Sequence, residues 1–188
     1  MLTPRHGRVD REMAKIIRLD EYRETAALRA GSDQWLKTSV NATRTSLCEL
    51  SPHTLFRLAE AGDGNATAFY ALIIGFLGYG PSERFDTLDS QTQSHVLDIH
   101  LFMADQIRFE IMYRLGWLDC SAGNPFSLFE MVSRFVDVKQ ACQAHPPQLA
   151  KDHPHWSEYQ RLVDRDQQVF IRRMLTSALA AFKARYNL

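Results

Sequence analysis

The stretch Ser90-Gln-Thr-Gln-Ser-His-Val-Leu-Asp-Ile-His-Leu-Phe-Met-Ala-Asp-Gln-Ile-Arg-Phe-Glu-Ile-Met-Tyr-Arg-Leu-Gly-Trp117 decides the fold class. Val96, Ile99, Met103, Ile107, Ile111 and Leu115 recur at intervals of three and four, while Phe102, Phe109 and Tyr113 mark a second stripe. Apolar residues at that spacing fall on one side of a helix, and two such stripes mean burial over more than half its circumference. The spacing predicts a helix from about 90 to 117 at the centre of the molecule. Ser90 and Gln93 have the form of a capping box at its start.

Upstream, Ser51-Pro52 is a helix start, because the serine oxygen accepts a free N–H and proline at the first helical position forfeits no bond. Asp63-Gly-Asn65 has turn chemistry, and Ala66 to Leu77 is apolar on nearly every side. That predicts a second buried helix, with Ala68, Ala71 and Gly75 on a face that admits a close neighbour. Its apolar run is about 15 residues, short of the roughly 20 needed to cross a bilayer, so no membrane span is expected. Ser32 begins a further periodic run through Leu36, Val40, Thr43 and Leu47, preceded by a short helical pattern from Asp20. Residues 1–12 carry no apolar period and are expected to form an N-terminal arm, with Met13 an alternative start and 13–188 one helical domain.

Downstream, Asn124-Pro125 predicts a helix carrying Leu128, Phe129, Val132, Phe135 and Val136 and stopping before His145. The segment His145 to Pro154 contains three prolines and reads as a linker. After it, apolar residues from Tyr159 to Phe182 predict one long C-terminal helix over about 157–186. No run alternates in β fashion, except that Lys15 to Leu19 could be a strand. The expected fold is therefore all-α, a single-domain bundle of about six to seven helices around the central one.

The 188-residue chain has 22 basic and 22 acidic residues, but they are unevenly placed. Basic residues outnumber acidic nine to six in 1–47, acidic outnumber basic eleven to four in 48–130, and basic again lead nine to five in 131–188. The arginines at either end are interleaved with acids, and no helix-turn-helix signature accompanies them, which argues against nucleic acid. Cys48, Cys120 and Cys142 are an odd, scattered set without metal-ligand or redox spacing, and no secretory pattern opens the chain. A cytoplasmic location follows as the expectation.

No catalytic motif stands out. His95, Asp98 and His100 are metal-ligand types, but His100 is five residues from His95 and points elsewhere on a helix, so no metal or other cofactor is expected. Asp152, His153, His155 and Glu158 read as a solvated loop. Gly75 to Gly80 lacks the strand, lysine and hydroxyl of a phosphate loop. The candidate ligand-binding residues are His100 and the i, i+4 pair Glu110 and Arg114, which would lie in a pocket walled by Phe102, Phe109 and Tyr113. On that reading Glu110→Gln and Arg114→Met would abolish ligand-induced stabilisation and leave the fold intact. The leading expectation is a non-catalytic protein-protein interaction module, partnered by itself as a homo-oligomer or by another protein. The alternative is a small-molecule-binding bundle or an enzyme built on that pocket.

Overall fold

A computed structural model describes residues 43–60, 63–80, 83–119 and 123–188. The readings for the arm 1–12, for Met13, for 15–19 and for the helices begun at Asp20 and Ser32 fall on or begin among residues outside that set. Among the described residues there are eight helices: α1 Pro52–Ala59, α2 Asp63–Phe76, α3 Ser90–Leu115, α4 Leu128–Ser133, α5 Phe135–Ala144, α6 Trp156–Tyr159, α7 Asp164–Arg173 and α8 Leu175–Tyr186. The protein is an all-α bundle around α3, which packs against α1, α2, α4 and α8. None of the described helices is long and apolar enough to cross a membrane.

Helix α3 buries most of the predicted stripe: Val96, Ile99, Met103, Ile107 and Ile111 are fully enclosed, joined by Met112, while Leu115 at its end is only partly buried. Its cap is Asp89 instead of Ser90, because the Asp89 carboxylate accepts from the N–H groups of both Gln91 and Thr92 at 3.0 Å. A carboxylate there also meets the positive end of the helix dipole. Gln93 is thereby released to donate to the Phe85 carbonyl, tying the preceding turn to the helix. At the other end Gly116 adopts a left-handed conformation (φ 76°), and Trp117 N–H returns to Met112 O at 2.9 Å. That paired termination reverses the chain sharply.

Further expectations are corrected. Asp63-Gly-Asn65 is not a turn ahead of the buried helix but the first turn of α2 itself. The periodicity through Thr43 and Leu47 does not continue a helix to Cys48. Ser46 is extended and bridges Ser127, Leu47–Glu49 is a single 3₁₀ turn, and Leu47 and Cys48 donate to the carbonyls of Phe126 and Asn124. The 145–154 segment is not a free linker. Gln148–Leu149 (β2) pairs antiparallel with Leu118–Asp119 (β1), because the fully buried Leu149 anchors it to the core. The helix after Pro125 starts at Ser127, whose side chain forms a true capping box with Glu130, and it breaks at Arg134 (φ −127°, ψ 36°). That break turns Val136 outward to 72% exposure.

The C-terminal periodic stretch is helical in three pieces. Val163 is extended (ψ 159°) ahead of α7, and the Gln167 amide reaches back to the carbonyls of Leu162 and Tyr159, satisfying acceptors left at the end of α6. Met174 keeps helical angles but bonds Ile171 in a tighter turn, so α7 passes into α8 with only a local kink. Ala178 and Phe182 on α8 are fully buried against the core.

Candidate functional site

Glu110 and Arg114 meet as the spacing requires, with Arg114 Nε 2.9 Å from Glu110 Oε1 and the carboxylate 2% exposed. What surrounds them is protein. Arg114 Nη1 donates to Leu50 O at 2.7 Å and Nη2 to Leu47 O at 2.8 Å, while Asn124 N–H donates to Glu110 Oε2 at 2.9 Å. Asn124 also bonds Gln106 through its amide and accepts from Phe126 N–H. Guanidinium Nε, Nη1 and Nη2 and both carboxylate oxygens are thus engaged. The pair is a clamp that fastens the 47–50 turn and the 123–127 loop, distant in sequence, to the same face of α3.

His100 is not part of that cluster. It lies half-buried between the rings of Phe69 and Tyr70 on α2, with centroids 5.3 and 5.0 Å away. Burial, and after it the charge of Arg108, lowers its pKa below the ordinary histidine value. A lowered folded-state pKa means that the unfolded chain takes up the proton first. The contribution of His100 to stability is then complete above about pH 6.5 and is lost as pH falls from there toward the folded pKa. We expect the urea midpoint to drop between about pH 7 and pH 5, and His100→Gln to flatten part of that slope. His153 has the same direction of shift, from burial and then from His155, and accounts for a separate share.

The ring of His95 packs edge-on against Phe135, away from His100, and no group of three metal-ligand side chains occurs among the described residues. His153 packs against Trp117, and His155 reaches Glu158 at 3.6 Å. The thiols of Cys48 and Cys142 are free, and burial raises the pKa of both, with the charges of Glu110 and Glu49 adding to the effect at Cys48. A raised pKa keeps sulfur in its unreactive protonated form.

The concave feature of α3 lies on the side opposite His100. It is a cleft of about 360 Å³ between α3, α5, α7 and the Pro146–Pro147 turn. Phe102, Phe109 and Cys142 contribute its apolar surface and Asp98, Lys139 and Gln106 its polar one. Gln168 donates to Pro147 O at 3.0 Å and Arg172 grips Asp105 at 3.0 Å, so α7 and the proline turn are held in place around it. At its edge stands Leu101, 62% exposed, with Leu97 one turn earlier at 37%.

The sequence reading named Phe102, Phe109 and Tyr113 as pocket walls; the first two line the cleft, Tyr113 does not, and the polar residues joined to them lie elsewhere. At about 100° per residue His100 is half a turn away from them, and Glu110 faces the 123–127 loop. Lys139, Cys142, Gln168 and Arg172 were missed, since their meeting depends on the break at Arg134 and the folding-back of α7. One signal was available: Leu97 and Leu101 belong to neither apolar stripe of α3 and yet are large aliphatic residues spaced by four. Comparison with protein-family models, with curated proteins and with solved structures finds no match to this chain.

Proposed function

We propose that the chain is a non-catalytic protein-interaction module whose binding surface is the cleft face of α3, α5 and α7. The observation that carries this reading is Leu101, held out to solvent beside a cleft containing Phe102 and Phe109. An exposed aliphatic next to an aromatic-walled hollow, with polar side chains around it, has the arrangement of an interface core and rim. Large isolated apolar side chains are common on surfaces; one that borders an aromatic-walled cleft is the more telling pattern. The free thiols of Cys48 and Cys142 support a reducing, cytoplasmic location.

A photo-cross-linking residue at position 101, with position 163 as a second exposed apolar site for control, tests the reading. The expected result is a protein-sized adduct from 101 and none from 163. Absence of any protein adduct at 101 overturns it.

A second reading, small-molecule binding in the same cleft, is favoured by its volume, which lies within the range of about 300–1,000 Å³ common to ligand pockets. Native mass spectrometry of the purified chain separates the two, since a retained small mass lost on Phe102→Ala would favour the ligand.

A further inference from the structure

We infer that the occupant of the cleft is a second copy of this chain, joined face to face about a twofold axis; this rests on the reading of the cleft as a protein-binding surface. In a twofold contact each patch meets its own copy, so it must contain both a projection and a recess, and both members of any charge pair. This patch does. Leu101, 62% exposed, projects at the edge of the recess walled by Phe102 and Phe109. Asp98 and Lys139 both line it, and neither has an ion-pair partner among the described residues; Lys139 Nζ instead lies 4.9 Å from the centroid of the Phe135 ring.

The other two charges at the cleft, Asp105 and Arg172, neutralise each other within the chain. One carboxylate and one ammonium are left, which under a twofold axis give two reciprocal Asp98–Lys139 pairs. A partner carrying a surplus of either charge would leave one of the two unmatched. The formal net charge of zero also means that copies approach without long-range repulsion.

The test is sedimentation velocity of the full chain over a wide concentration range, for the wild type, Asp98→Lys, Lys139→Asp and an equimolar mixture of the two variants. The wild type is expected to dimerise reversibly. Each reversal alone places like charges opposite each other and is expected to raise the dimer Kd by about tenfold or more. The mixture pairs a doubly basic patch with a doubly acidic one and is expected to restore dimers. Because both positions reach solvent, unchanged circular dichroism melts verify that the variants fold.

A wild type that stays monomeric, a dimer indifferent to both reversals, or a mixture no better than its components overturns the inference. Photo-cross-linking at 101 then separates the two failures. An adduct with a different protein leaves the interaction reading standing, whereas no protein adduct removes both.

Discussion

Arg114→Met is expected to destabilise the protein by about 3–5 kcal/mol, measured as the loss of unfolding free energy in urea. The aliphatic stem of the replacement fills much of the space of the arginine stem, so the loss is electrostatic. Glu110, 2% exposed, would lose its guanidinium partner and keep only the Asn124 N–H as a donor. The carbonyls of Leu47 and Leu50 would lose the guanidinium donors that reach them at 2.8 and 2.7 Å. Adding Glu110→Gln to that variant removes the unpaired charge but keeps an acceptor for Asn124, and part of the stability should return. A loss under about 1 kcal/mol for Arg114→Met would show that the clamp is dispensable. No recovery in the double variant would locate the cost in the two carbonyls instead of the buried carboxylate.

This changes the meaning of the two substitutions suggested by the sequence. As ligand residues they would leave the fold intact; as a clamp they hold it together. The i, i+4 spacing made the Glu110–Arg114 contact legible, because helix geometry alone brings those side chains together. The partners of the pair were not legible. Leu47, Leu50 and Asn124 are reached through backbone groups, which leave no mark on side-chain pattern, and they come from loops whose conformation no periodicity encodes. The same limit applies at the cleft, where Lys139 and Arg172 are assembled by tertiary contacts across three elements.

Where periodicity was strong, it sufficed. The burial of Val96, Ile99, Met103, Ile107 and Ile111 follows from their spacing, and the start of α1 from Ser51-Pro52, whose serine accepts Thr54 N–H at 3.1 Å. Periodicity misled where short polar side chains compete with the helix for backbone bonds. Asn124 was read as a cap directly before Pro125, yet its carboxamide oxygen accepts from Phe126 N–H and its carbonyl accepts from Cys48 N–H. The continuous apolar pattern at the C-terminus likewise contains no proline or glycine between 157 and 186 to announce the break at Val163. Val163 itself is 69% exposed, so the pattern continues there without the burial that normally produces it.

Gly123→Ala is expected to be the other large loss, about 2–5 kcal/mol, and comparison with Gly116→Ala divides that loss into its causes. Both glycines have positive φ, +65° at 123 and +76° at 116, so both substitutions incur the cost of placing a side chain in the left-handed region. Their surroundings differ. A Cβ at 116 would meet nothing within 4 Å, and about 1 kcal/mol is expected from backbone strain alone. A Cβ at 123 would lie 2.8 Å from the Cβ of Cys48, on the clamped 47–50 turn, and 3.1 Å from Glu110 Oε2 in the clamp itself. Neither neighbour can yield cheaply, since Cys48 is fixed through its N–H to Asn124 O and Glu110 through Arg114. Relief requires the 123–127 loop to lift from α3, which would stretch the Asn124 bond to the carboxylate. Urea unfolding of the two variants should therefore differ by more than 1 kcal/mol. Equal losses would mean that the loop relaxes freely and that its close approach to Glu110 is not needed by the fold. A loss at 123 that vanishes in the Arg114→Met background would instead show the two to be parts of one unit, because disrupting a shared network twice costs little more than disrupting it once.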